Sequence, residues 1–387
     1  MNNRPLSSIQ DYANLLLPEV VASPAQLAKL LEVLAGEPVV AVDTESNSLY
    51  AYGEQVCLIQ FSVPGTDYVV DPLAGLDMSL LAGFFADPEI QKVFHAAEYD
   101  VVCLKRDFDF HFANLFDTMW GARILGWSHV GLGDVLREHF GARTKKRYQR
   151  YNWGRRPLDP EALVYAAMDT HYLLPLCWLQ AKSLKEQGHM EEAWEVFDEI
   201  AASEPSFRAF DPEDFWRVKG AYDLDRCGQA VLRALFVWRD RVARRRDRPH
   251  FKVIGNRTLM ALAEARPHTL EELASVNGLR PAQLHRYGKD LLKAIERGAR
   301  GEFPEPPQPP PRHSETEVTR FKGLRAWRKQ VAADRGVGPD VVVSNAVLWA
   351  LAERHPCTVG ELQSIEGWGP WRQKTYGEAI LELLADL

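Results

Sequence analysis

Residues 258–295 of this 387-residue chain recur, without a gap, 89 positions further on. TLMALAEARPHTLEEL aligns with VLWALAERHPCTVGEL, and LASVNGLRPAQLHRYGKDLLKAI with LQSIEGWGPWRQKTYGEAILELL. Trp238 and Arg239 fall on Trp327 and Arg328, Asn256 on Asn345, and Tyr287-Gly288 on Tyr376-Gly377. Apolar residues at helical spacing, with turn residues between them, predict one small all-α domain made twice. The copies are joined by GEFPEPPQPPPRHSETE, residues 301–317, whose prolines rule out a helix or central strand and predict an extended linker. The expected division is therefore 1–224, then helical domains at 225–300 and 318–387 on either side of the linker.

Charge separates these parts more sharply than the overall net of −7 suggests. Residues 1–224 hold 19 Lys and Arg against 33 Asp and Glu, whereas 225–300 hold 17 against 8. An acidic first half joined to a basic module is an asymmetry that calls for a functional explanation. No apolar run approaches the roughly 18 residues of a membrane span. The opening MNNRPLSSIQDYANLLLPE has no basic stretch leading into an apolar one, so no secretion signal is expected. Five scattered cysteines without a CxxC pair argue against a disulfide framework or a zinc site and fit a reducing cytoplasm.

Residues 1–224 read as strands followed by helices. SPAQLAKLLEVLAG predicts a helix capped by Ser23. PVVAVDTE, QVCLIQFSV, DYVVDP and IQKVF read as strands, the last leading into a helix near 97–106. From Asp159 a helical pattern runs to about Gly188, with a kink expected at Pro175. Such an order predicts an α/β domain, a mixed sheet with flanking helices.

VVAVDTES, residues 39–46, puts Asp43 and Glu45 on one face of a strand, because side chains alternate along it. HAAEYDVVCL puts Asp100 early in a helix, and YAAMDTHYLL puts Tyr165 and Asp169 one turn apart on another. Clustered carboxylates in such apolar settings repel one another and lose hydration. A pair of hard divalent cations, Mg²⁺ or Mn²⁺, would turn that repulsion into attraction, and two such ions suit hydrolysis of a phosphodiester. A tyrosine beside them can orient the attacking water.

VAVDTE, HAAEYDVVCL and YAAMDTHYLL, in that order, resemble the three exonuclease motifs of the DEDD superfamily, in the subtype with a tyrosine in the third. With the two repeats resembling HRDC domains, nearly the whole chain resembles the ribonuclease D family. The resemblance implies a ribonuclease H-like sheet and 3′→5′ removal of nucleotides, usually from RNA. It also implies that Asp43, Glu45 and Asp169 bind one metal, that Asp43 and Asp100 hold the second, and that Tyr165 orients the water. The expected partner is RNA with a free 3′ end, such as a transfer RNA precursor.

The segment before the WGRRPL motif is unusually basic for the family: TKKRYQRYNWGRRPL. Lys145, Lys146, Arg147, Arg150, Arg155 and Arg156 are expected to rim the site, with Tyr148, Tyr151 or Trp153 stacking on a base. His95 and Glu98 are expected to serve structure rather than metal binding. In the first repeat, RDRVARRRDRPHFK places Arg241, Arg244, Arg245 and Arg248 along one side of a helix, a candidate RNA surface. The matching RKQVAADRGVGPDV has lost most of that charge, which predicts a structural second repeat. Trp368 and Trp371 there are read as an apolar contact surface or as core. A DNA exonuclease and a non-catalytic nucleic-acid-binding protein are the rival readings; the latter should have lost a metal acid, and all four are present.

Overall fold

The computed structural model describes residues 17–143, 146–206, 209–308 and 312–387. Thr144 and Lys145, the side chain of Lys146 and the start of the chain read above for a secretion signal lie outside the described residues. The described chain forms two compact units. One contains the described residues within 17–46, 56–205 and 312–387, and the other those within 47–55 and 206–308.

The first unit is built on a six-stranded mixed sheet. Its strands are β1 (Glu19–Val21), β2 (Val39–Ser46), β3 (Val56–Val63), β4 (Thr66–Val70), β5 (Gln91–Phe94) and β6 (Leu115–Asp117), in the order β1-β4-β3-β2-β5-β6. β3 pairs antiparallel with β2 and β4, while the β1–β4, β2–β5 and β5–β6 pairs are parallel. The β3–β4 hairpin turns at Pro64-Gly65, where glycine supplies the positive φ of +84°. β2 is central, with Asp43 opposite Gln60 and Glu45 opposite Leu58 on β3. Burial of Val40, Ala41, Val42, Phe61, Val93 and Phe94 fixes its register, because a one-residue slip would turn the carboxylates to the other face.

Helices α1 (Pro24–Ala35), α2 (Ala82–Ala86), α3 (Glu98–Phe108), α4 (Thr118–Ile124), α5 (Leu132–Phe140), α6 (Pro160–His171), α7 (Leu173–Glu186) and α8 (Met190–Ala201) flank the sheet. Ser23 caps α1 as expected, accepting from the Gln26 N–H. The long helical pattern breaks at Tyr172, and Pro175 sits in the first turn of α7, where its missing N–H costs nothing.

The basic repeat consists of α9 (Arg226–Arg245), α10 (His250–Val253), α11 (Asn256–Ala265), α12 (Leu270–Ala274) and α13 (Pro281–Arg300). The second repeat consists of α14 (Glu315–Arg335), α15 (Pro339–Val342), α16 (Asn345–Arg354), α17 (Val359–Gln363) and α18 (Pro370–Ala385). The same latch closes each. Arg239 bonds the Ile254 carbonyl and Asn256 Oδ1, and Arg328 bonds the Val343 carbonyl and Asn345 Oδ1. Trp238 meets Tyr287 edge-on at 5.5 Å, and Trp327 meets Tyr376 at 5.4 Å. Arg246 and Arg335 donate to those two tyrosine hydroxyls.

The repeats differ in what surrounds them. The second lies in the same unit as the sheet and docks on α8. Arg335 reaches Glu192 at 2.6 Å, Arg372 bonds Glu195 and Glu199, and Lys374 bonds Glu191. Trp368 is 4 % exposed within the second repeat's own core. In the other unit, residues 47–55 pack with the first repeat. Tyr52 donates its hydroxyl to Asp240 at 2.6 Å, and its N–H bonds Asp247. Among the described residues no helix is long and apolar enough to cross a membrane.

Candidate active site

Three elements carry the four acids. β2 delivers Asp43 and Glu45 on one face just before its bulge at Glu45/Ser46, α3 delivers Asp100 in its first turn, and α6 delivers Asp169. The aim of Asp100 depends on Asp117, a fully buried carboxylate that sequence reasoning did not single out. Asp117 caps α4 and also accepts the N–H groups of Ala96 and Ala97, holding Ala96 at a φ of +66° in the turn from β5 into α3. His95 in that turn bonds Thr118 at 2.9 Å, and burial pushes its pKa down to about 4, so its ring is neutral and structural.

The acids perturb one another. Burial, followed by Asp100, Asp169 and Glu45, raises the Asp43 carboxyl well above its ordinary value. Glu45 is raised by burial and then by Asp169 and Asp100. Asp100 and Asp169 are each pushed up to about 7, chiefly by burial. Asp43, Glu45 and Asp169 are partly exposed, whereas Asp100 is 6 % exposed and accepts a hydrogen bond from the Thr44 hydroxyl. Among the described residues, no three His, Cys, Asp or Glu side chains stand in a ready coordination shell. The donor set still suits hard cations, being all carboxylate and close enough for the acids to raise one another's pKa.

Tyr165 lies one turn from Asp169, and both line an open cleft of about 600 Å³. Its hydroxyl is held protonated by burial and by Asp169, Glu45 and Asp43. Arg137, Arg143 and Gln149 line the same cleft and were missed from sequence, although Arg143 adjoins the basic segment that drew attention. α6 is tied to the sheet beside Asp169: Ser62 bonds Thr170 at 2.6 Å, and Asp67 bonds both Ser62 and His171.

Several expected RNA contacts lie elsewhere. Trp153 is 2 % exposed, with Tyr165 stacked on it at 6.3 Å and Tyr151 edge-on at 4.9 Å, so no face is open to a base. It braces Tyr165 from behind, together with the equally buried Tyr148. Arg156 forks onto Asp71 and onto the carbonyls of Trp153 and Cys57, which makes it a structural tie. Arg147 is exposed and lies over the Tyr148 ring at 4.8 Å. In the basic repeat Arg241, Arg244 and Arg245 are exposed on α9, Arg244 bonding Tyr52 and Asp240. Arg248 is not on that helix face. α9 ends at Arg245, and Asp247 turns the chain with a φ of +44°.

The chain matches the family model of a 3′-5′ exonuclease over residues 18–184 and the HRDC domain model over 228–295 and 317–384. Ribonuclease D of Gluconacetobacter diazotrophicus is 30% identical over 377 residues, which cover 95% of this chain and 92% of that protein. Ribonuclease D of Pseudomonas paraeruginosa is 30% identical, covering 95% of this chain and 98% of its own length. The crystal structure of Escherichia coli RNase D, an exoribonuclease involved in structured RNA processing, superposes with a TM-score of 0.66 at 26% identity, covering 96% of this chain and 99% of that one. With a mixed-sheet exonuclease domain carrying four convergent acids and a tyrosine, followed by paired HRDC repeats, the chain belongs to the ribonuclease D family of 3′-5′ exoribonucleases.

Proposed function

We propose that the chain trims the 3′ ends of structured RNA precursors, transfer RNA precursors among them, with two divalent cations, Mg²⁺ or Mn²⁺. What supports the metal reading is a cluster of four carboxyls all held above their ordinary values, Asp43 by burial and then by Asp100, Asp169 and Glu45, and Asp100 by burial and then by Asp117. Asp43, Glu45 and Asp169 would hold one ion, and Asp43 and Asp100 the other. Bound there, such ions lower the pKa of a water and neutralise charge on the leaving oxygen.

The chain's own residues do the rest. Tyr165, protonated across the physiological range, orients the attacking water by a hydrogen bond and does not act as its base. The new bond joins water oxygen to phosphorus, the bond to the 3′ oxygen breaks, and a nucleoside 5′-monophosphate leaves. Arg143 and Gln149 face the same cleft, where they can hold the phosphate and sugar of the terminal nucleotides. The exposed Arg147 and the α9 arginines Arg241, Arg244 and Arg245 offer further phosphate contacts.

The test is a degradation assay on matched RNA and DNA oligonucleotides with free or blocked 3′ ends, and on a transfer RNA precursor, with Mg²⁺, Mn²⁺ or EDTA. Stepwise shortening of free-ended RNA only when metal is present is expected. Undiminished cleavage in excess EDTA would remove the two-metal reading, and equal rates on DNA would remove the RNA preference.

A further inference from the structure

The two repeats share a framework, yet the short segment after the first long helix differs between them. In the second repeat this segment is a docking surface. Val341 is 1 % exposed in the core it shares with the sheet's helices, and Asp340 pairs with Arg123 on α4. At the positions of Val337, Asp340 and Val341, the first repeat carries Arg248, Phe251 and Lys252. All three are exposed, Phe251 at 56 %.

A single exposed phenylalanine is ordinary on a protein surface. This one borders a hollow of about 520 Å³, lined also by Tyr52, Glu54, His250, Arg239 and Asn256, all in the same unit. Beside it two cations crowd each other. The Lys252 ammonium is pushed below its ordinary pKa by partial desolvation and then by Arg248, and it stands 3.5 Å from the Tyr50 ring. No carboxylate among the described residues pairs with either cation. An exposed aromatic face, a hollow with polar edges and two neighbouring cations are the parts from which single-strand RNA sites are assembled.

We propose that the first repeat holds one unstacked nucleotide of RNA, its base laid on the Phe251 ring over the hollow and its phosphate between Arg248 and Lys252. The proposal rests on the reading that this repeat binds RNA, and it adds a base subsite to a surface otherwise expected to grip only the backbone. Phe251 supplies affinity that tolerates any base, since every base has a π-face. Arg248, displaced from the helix face by the turn at Asp247, thereby finds a role that the helix arginines do not share.

Binding of the full-length protein to a 30-nucleotide RNA, and to an abasic ribose-phosphate chain of the same length, distinguishes the two kinds of contact. The measurement is made in EDTA so that the RNA keeps its length. Phe251→Ala should weaken RNA binding at least about fivefold, leave its salt dependence unchanged and leave the abasic chain unaffected. Phe251→Trp should restore the affinity. The double change Arg248→Gln, Lys252→Gln should weaken both ligands and flatten the slope of log K against log salt by up to about 1.4. Wild-type RNA affinity in Phe251→Ala, alongside a loss in the double variant, would overturn the base subsite while leaving a backbone contact. Wild-type behaviour in both variants, and also when Arg241, Arg244 and Arg245 become Gln, would overturn the underlying reading that the repeat binds RNA.

Discussion

Arg335 holds Glu192, a carboxylate only 1 % exposed, at 2.6 Å, while its counterpart Arg246 in the first repeat meets the hydroxyl and ring of Tyr287 and, among the described residues, no carboxylate. In the second repeat the same framework residue thus fastens the repeat to α8 of the exonuclease domain. Removing the partner of a buried charge costs about 3–5 kcal/mol. Glu192 also keeps His189 at 3.1 Å, so Arg335→Ala should destabilise the chain by less than that full amount, yet by more than Arg246→Ala, which removes an ordinary hydrogen bond of about 1 kcal/mol. Urea melts of the two variants check this, and equal losses would mean that Glu192 does not depend on Arg335.

Tyr165→Phe keeps the ring against Trp153 and removes only the hydroxyl. Turnover should fall by about 10²–10⁴-fold, the usual contribution of a group that moves or orients a proton. RNA affinity should stay within about twofold of wild type. An unchanged kcat with a raised KM would assign Tyr165 to substrate binding.

Trp153→Ala should act on the same step from behind. It empties a buried site, costing about 3–5 kcal/mol of stability, and frees the Tyr165 ring it braces. At a temperature where the variant is still folded, kcat should drop while affinity for a long RNA is retained. A selective loss of affinity would restore Trp153 as a stacking platform.

The acid cluster also sets a pH dependence whose sign is opposite to that of a salt-bridged carboxylate. Asp100 and Asp169 sit near 7 when folded and near their ordinary value of about 3.9 when unfolded. Between those limits the folded state binds more protons, so metal-free stability falls as pH rises from about 4 to about 7. In EDTA, Tm should decline from pH 5 to pH 8 more steeply in the wild type than in the double variant Asp100→Asn, Asp169→Asn. Mg²⁺ should raise Tm at pH 8 in the wild type alone. A flat difference between the two proteins would show that the carboxyls do not hold protons in that range.

The sequence made the strands β2 to β5 legible through their β-branched runs, and the acids through their spacing on elements of known period. β1 and β6, three residues each at the sheet edges, carry too short a pattern to stand out and exist through pairing with β4 and β5. Trp153 was misread because an aromatic flanked by arginines looks the same in sequence whether its ring faces water or core. Arg248 was placed on the helix although Pro249 follows it, and a proline just beyond a helical pattern is a stop signal. Arg143 and Gln149 reach the cleft through the packing of α5 and the chain after it, which no local pattern encodes.

The chain passes between its two units four times, and residues 312–387 complete the unit that begins with β1. During synthesis, a ribosome releasing this protein from its N-terminus exposes Glu192, Glu195 and Glu199 long before Arg335 and Arg372 are made. Domains commonly mature in the order in which they are translated. Here the domain that does the chemistry needs residues 312–387, made more than a hundred positions after α8, so a chain cut before them lacks the ion pairs that fasten α8 and should be a less stable nuclease.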